Sequence, residues 1–211
     1  MKNRPRPAEP DALGRRSFLR LGAGLALAVP FAATAAGCST DDPLAEQANA
    51  GDNKNYIAGD GSVTEYDPAE RGDAVQFTGT LFDGTEVSSA DWAGDVVVLN
   101  FWYAACAPCR KEAPDLVELH GNFAGEGARF YGVNIRDEKA TAEAFERNFN
   151  IPYPSFQDKD GGVLLAMTSF VPPQAVPTTL VLDRNGRVAA RILGLADKGT
   201  LKALITDALA A

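Results

Sequence analysis

Apolar and polar positions divide the 211-residue chain into three stretches of different character. Leu21–Ala36 is a nearly unbroken apolar run. Residues 39–71 are rich in Asp, Asn, Gly and Ala without apolar periodicity, the pattern of a flexible acidic tether. From about Gly72 the pattern becomes that of a packed domain. Val75–Leu81 alternates weakly, Asp83-Gly84 is a hairpin signal, and Thr85–Val87 reads as the return strand. Val96–Phe101 (VVVLNF) and Ala128–Ile135 are continuous apolar runs, as strands buried on both faces require. Pro108–Phe123 reads as a helix with Leu116, Leu119 and Phe123 on one face. Ala140–Phe149 reads as a second helix, with Ala144, Phe145 and Phe149 inward, and Val163–Phe170 as a shorter third. Thr179–Leu182 and Val188–Ile192 are strands joined by the Asp183–Gly186 turn, and Lys198–Leu209 is a closing amphipathic helix. This order predicts an α/β domain over residues 72–211, with a mixed central sheet flanked by helices and an added N-terminal β-hairpin.

Composition and charge change the picture at the two ends. Hydrophobic residues make up 45% of the chain, enough for a sizeable core. The net charge is −8, yet residues 1–37 hold six basic and two acidic side chains, so the body is more acidic than the total. Such a body lacks the basic footprint that nucleic acid or anionic lipid needs, which sets nucleic-acid binding aside. The order of residues 1–37, basic then apolar then small, is that of an export signal. Arg15-Arg16-Ser17-Phe18-Leu19-Arg20 resembles the twin-arginine signal. The apolar run is shorter than the roughly 20 residues of a spanning helix and contains Gly22, Gly24 and Pro30. An uncleaved N-terminal anchor is the alternative. Ala35-Ala36-Gly37-Cys38 resembles a bacterial lipobox, making Cys38 the lipidated first residue of the mature chain, at the start of a 38–71 tether. Ordinary cleavage near Ala36, leaving Cys38 free, competes with it. Three cysteines leave one unpaired, a liability in an oxidising compartment. Diacylation of Cys38 removes that thiol and anchors the domain.

Chemistry concentrates at Cys106-Ala107-Pro108-Cys109, where the Val96 strand meets the Pro108 helix. A helix N-terminus offers unpaired N–H groups and partial positive charge, which favour a thiolate. That makes Cys106 the exposed nucleophile and Cys109, one turn inward, the resolving thiol. Pro108 suits the first turn, where its missing N–H costs nothing. A structural zinc site needs about four N or S ligands, and the domain offers two Cys and one His (His120). A copper relay wants a nearby His, but His120 is about three turns away; a static disulfide closing so short a loop adds little stability. His120 reads as an exposed helix histidine, and Asp137, which follows the Ala128 strand, as a helix cap.

The run NFWYAACAPCRKEAPDL (Asn100–Leu116) resembles the active-site helix of the TlpA/ResA-like thioredoxin family, membrane-tethered bacterial thiol–disulfide oxidoreductases. The likeness extends through LFDGTEV, FYGVNIRDEKATAEAFERNF, IPYPSFQDKDGG and VPTTLVLDRNGRV. It implies a thioredoxin-like fold in which Pro177 is cis and faces the dithiol. It also implies that Val176 offers backbone groups to an extended substrate segment. Where ordinary thioredoxins carry a buried Asp, six residues before the first Cys, this chain has Asn100, which does not titrate. Glu112, three residues after Cys109, stands where ResA-like members use a Glu, and is the candidate proton acceptor for Cys109; a solvated helix Glu beside Arg110 and Lys111 is the alternative. Ala105 replaces a Trp common in relatives, leaving Trp102 and Tyr103 to frame the site.

The expected protein is a monomeric reductase on the extracytoplasmic face of the membrane; the dithiol is itself the redox group, so no cofactor is needed, and the ligand shortage leaves no metal. The resemblance implies disulfide-containing exported proteins as substrates, apocytochrome c among them, and a membrane electron donor of the CcdA type. Three rivals stay open. An oxidase would run the same sulfurs in the opposite direction. A thiol peroxidase of the redoxin superfamily would want a P-x-x-x-T/S-x-x-C pattern, and Trp102 and Tyr103 stand four and three residues before Cys106 instead. A non-catalytic binding lipoprotein would keep the fold as a scaffold.

Overall fold

A computed structural model describes Gln47 and residues 57–211; the leader, Cys38 and most of the predicted tether lie outside the described residues. The strands are β1 (Ser62–Glu65), β2 (Thr78–Thr80), β3 (Glu86–Ser88), β4 (Val96–Trp102), β5 (Ala128–Asn134), β6 (Ser155–Gln157), β7 (Thr178–Leu182) and β8 (Val188–Leu193). The helices are α1 (Ala107–Phe123), α2 (Lys139–Phe149), α3 (Gly162–Ala166) and α4 (Lys198–Ala210). Six strands form one mixed sheet in the order β1-β8-β7-β4-β5-β6, and β2 pairs with β3 in a separate two-stranded sheet. β4 runs parallel to β5 and antiparallel to β7, so it has a neighbour on each side and every one of its residues is buried.

Period-two alternation in β4 divides the core between the faces of the sheet. Val96 and Val98 pack under Leu116, Leu119 and Phe123 of α1 and Leu201, Leu204 and Ile205 of α4. Val97, Leu99 and Phe101 lie on the other face with Trp92, Phe156, Val163 and Met167. Asn100 belongs by this alternation to the α1 face. There it carries polarity into an apolar layer, and the site below is built around it.

Several elements differ from the sequence pattern. The predicted tether contains β1, which pairs antiparallel with β8 from Ser62 opposite Leu193 to Glu65 opposite Ala190. An exposed edge strand tolerates polar residues, so Ser62-Val63-Thr64-Glu65 carries no apolar period to announce it. β6 was hidden in the turn after Ile151, being three residues long and flanked by Pro152 and Pro154. On α2 the fully buried small residue is Ala142 rather than Ala144, with Phe145 buried and Phe149 half-buried. The third helix ends at Ala166, well before Phe170. Asp158 tethers its start, accepting from the Val163 and Leu164 amides at 2.7 and 2.8 Å.

β5 and β6 approach closely only because Gly132 lacks a side chain: a Cβ there would collide with Ser155 Oγ and Trp102 Nε1. Gly132→Ala is expected to cost about 1–3 kcal/mol, since overpacking forces a backbone or rotamer shift. Denaturant unfolding of the oxidised protein checks it, and an unchanged midpoint would contradict the close packing.

Candidate active site

Cys106 is the N-cap of α1. Its backbone is extended (φ −70°, ψ 113°), and its Sγ accepts a hydrogen bond from the Cys109 amide at 3.2 Å. This places sulfur on an otherwise orphaned first-turn N–H at the positive end of the helix dipole. Pro108 lies in that first turn and withdraws no needed donor. Cys106 and Cys109 are joined by a disulfide, with S–S 2.10 Å and Cα–Cα 5.3 Å. In this oxidised form Cys106 is 0% exposed and Cys109 2%, so the sequence expectation of an exposed Cys106 does not hold. The exposed rim consists of Ala105, Ala107 and Arg110.

The opposite wall is the loop that enters β7. The Val176–Pro177 peptide bond is cis, and the Val176 carbonyl oxygen lies 3.9 Å from Cys106 Sγ. The Val176 amide does not face open space, because it donates to the Ile57 carbonyl at 2.9 Å. Ile57 in turn donates to the Gln174 carbonyl at 2.8 Å, a single parallel bridge just upstream of β1. Of the two backbone groups assigned to substrate, the amide is therefore already paired within the chain.

Glu112, also on α1, is 1% exposed, which overturns the reading of a solvated helix Glu. Asn100 Nδ2 donates to its Oε1 at 2.7 Å, and the Ala196 amide donates to Oε2 at 2.9 Å. Asn100 Nδ2 also reaches Thr179 Oγ1 at 3.1 Å, so β4, β7, α1 and the loop before α4 converge on one carboxyl. Burial pushes the Glu112 carboxyl up to about 7, against the lowering effect of the Ala196 and Asn100 hydrogen bonds and with a further push from the Asp115 charge. Between Asn100, Cys109, Tyr153 and Ser155 lies a cavity of about 10 Å³, room for about one water molecule. Tyr153 is buried beside it, and its hydroxyl is pushed upward by burial and then by the charges of Glu112 and Glu146.

Trp102 and Tyr103 do not form a surface platform, being 4% and 2% exposed. They form the floor: Trp102 packs with Phe145 at 4.4 Å between ring centres, in the same apolar cluster as both sulfurs and Val176. His120 is half-buried against the Phe130 and Tyr153 rings, and burial pulls its pKa down. Asp137 is not a helix cap either. Glu138 is the N-cap of α2 and makes no side-chain cap bond, while Asp137 Oδ2 accepts from the Ala104 amide at 2.6 Å. The chain bends there because Asn134 Oδ1 accepts from the Arg136 and Asp137 amides, at 3.1 and 2.8 Å.

Sequence reasoning thus missed Thr179, Ala196 and the pairing of Asp137 with Ala104. The first two are not marked by residue type. Asn134-x-x-Asp137 at a strand end did carry a signal, that of a side chain turning the backbone after β5.

A dithiol at the N-terminus of a helix, facing a cis-proline loop across a mixed sheet, defines a thiol–disulfide oxidoreductase of the thioredoxin-like class. The chain belongs to the AhpC/TSA family, which matches residues 71–191. It is 33% identical over 129 residues to the thiol-disulfide oxidoreductase ResA of Geobacillus thermodenitrificans, an alignment covering 61% of this chain and 72% of that protein. Against ResA of Bacillus subtilis the identity is 30% over 126 residues, covering 60% and 68%. The structure is similar to that of a DsbF homologue from Corynebacterium diphtheriae, at 34% identity and TM-score 0.60, covering 69% of this chain and 92% of that one. A secreted thiol-disulfide isomerase from Corynebacterium glutamicum matches at 29% identity and TM-score 0.63, covering 71% and 92%.

Proposed function

We propose that this protein is an exported, membrane-tethered reductase of protein disulfides, working as a monomer through Cys106 and Cys109. The observation that carries the reading is the Cys106–Cys109 pair at the start of α1, facing the cis Val176–Pro177 loop, with the carboxyl of Glu112 buried one helical turn from Cys109. The Cys106 thiolate attacks a substrate disulfide, forming a Cys106–substrate bond and releasing one substrate sulfur as thiolate. Cys109 passes its proton to the Glu112 carboxylate and attacks Cys106 Sγ. The second substrate sulfur then leaves and is protonated. Two electrons move from the protein dithiol to the substrate, and no cofactor enters. The dithiol is restored by a membrane electron donor of the CcdA type, and exported proteins such as apocytochrome c are the substrate class.

In this reading an extended substrate segment docks against the loop before Pro177, by way of the Val176 carbonyl or by displacing Ile57 from its amide. Lipidated Cys38 holds the enzyme at the outer face of the membrane. Among the described residues no helix is long and apolar enough to cross one. The reduction potential is expected to lie well below about −180 mV, the region above which oxidising catalysts work. Equilibration with glutathione or reduced thioredoxin measures it, and a value well above that mark would make the enzyme an oxidase.

A further inference from the structure

The loop Tyr103–Ala105, which delivers the chain to Cys106, is clasped at Ala104 by two opposite charges. Asp137 Oδ2 takes the amide at 2.6 Å, and Arg110 Nη1 donates to the carbonyl at 3.3 Å. Arg110 is exposed and lies over the Phe149 ring, 5.1 Å from its centre. Asp137 is held far more firmly. Asn134 Nδ2 donates to the same oxygen at 2.9 Å, and Asn134 is itself 1% exposed at the end of β5. The neighbouring Arg136 guanidinium lies over the Tyr103 ring, 4.1 Å from its centre. This clasp spans from β5 to the active-site loop, and thiol–disulfide exchange as described above does not employ it.

We propose that Asp137 is a positioning residue that fixes the Cys106 loop and whose negative charge restrains ionisation of the Cys106 thiol. The inference rests on dithiol exchange at Cys106 and is independent of the direction of electron flow. The groups around Cys106 act in both directions. The Cys109 amide, the dipole of α1, Arg110 and Arg136 favour a thiolate. Asp137, the Val176 carbonyl and, behind Cys109, the Glu112 carboxyl when ionised oppose it. Asp137 is a full charge bonded to the backbone two residues before Cys106. A less stable thiolate makes the reduced protein less stable relative to its disulfide, so Asp137 biases the pair towards giving electrons away.

The test uses the full chain with Asp137→Asn, which keeps an oxygen for the Ala104 amide and removes the charge. Alkylation of Cys106 in the reduced protein, followed against pH, is expected to show a thiolate fraction about threefold higher at mildly acidic pH. The equilibrium with glutathione is expected to move towards the dithiol by a similar factor, and both differences to shrink in high salt. Loosening of the loop alone would not make the differences shrink in salt. An alkylation profile and glutathione equilibrium equal to wild type overturn the proposal, whatever happens to the unfolding temperature. If Asp137→Asn does not fold, Asp137→Glu and Asp137→Gln read the same charge on a longer stem. Equal profiles for that pair overturn the proposal too. Absence of any exchange activity in the unaltered chain would instead count against the function itself.

Discussion

Cys106→Ser is expected to lower turnover by about three orders of magnitude or more, whereas Cys109→Ser is expected to accumulate mixed disulfides with the protein's partners. The difference follows from the positions of the two sulfurs. Cys106 caps α1, receives the Cys109 amide and faces the Val176 carbonyl beside the exposed Ala105 and Ala107, so in the proposed mechanism it is the sulfur that takes the incoming disulfide. Cys109 lies behind it, lining the cavity shared with Asn100 and Tyr153, where no protein-sized substrate reaches. Removing Cys106 removes the attacking thiolate altogether. Removing Cys109 leaves the attack intact and deletes the group that would break the Cys106–substrate bond. Mass spectrometry of species trapped on Cys109→Ser, released by reductant, reads the result and names the substrates. Adducts trapped through Cys109 on Cys106→Ser would reverse the assignment. Unchanged function in Cys106→Ser would return the protein to the class of non-catalytic binding lipoproteins.

The parts of this mechanism that the sequence made legible are those carried by residue type at fixed spacing. Cys106 and Cys109 marked the site because two cysteines three apart, at a strand-to-helix junction, combine ring-closing geometry with a helix N-terminus. The run VVVLNF marked the central strand, because only a strand covered on both faces is apolar throughout. Within that run Asn100 is the polar exception, and only the packed sheet shows that its place in the alternation turns it towards α1. What stayed hidden depends on backbone atoms or on exposed edges. The Ala196 amide that completes the Glu112 site belongs to a residue with no polar side chain. β1 is an edge strand whose polar sequence is indistinguishable from a tether by hydropathy, and Ile57, which occupies the Val176 amide, lies further inside that tether-like stretch. Trp102 and Tyr103 frame the site from beneath, in the apolar cluster that holds both sulfurs. A residue at the end of a fully buried strand continues the core more readily than it lines a rim, and both are buried.

Glu112→Gln is expected to slow the resolving step by about a hundredfold at neutral pH and to flatten its dependence on pH. In the native protein the carboxyl ionises at about 7, so the fraction able to accept the Cys109 proton rises through neutrality. The amide of Gln accepts no proton in this range, and the rise disappears. The same shift governs stability, with the opposite slope. A carboxyl that ionises near 4.5 when unfolded and about 7 when folded keeps an extra proton in the folded state between those values. Its contribution to folding is complete below about pH 4.5 and is lost as pH rises through 7, a change on the order of 3 kcal/mol. Gln does not reproduce the site at acid pH, because its Nε2–H would face the Ala196 amide where Oε2 now accepts. Leaving that buried donor unpaired costs about 1–3 kcal/mol. The variant is therefore expected to be less stable than the native protein at pH 5 and to draw level with it above neutrality. Urea unfolding across pH 5–8 tests the stability half, and stopped-flow decay of a preformed Cys106–peptide disulfide tests the kinetic half. A Gln variant whose resolving rate keeps the native pH dependence would leave Glu112 as a buried structural carboxyl, and the proton of Cys109 would then have to leave through the cavity beside Tyr153 and Ser155 instead.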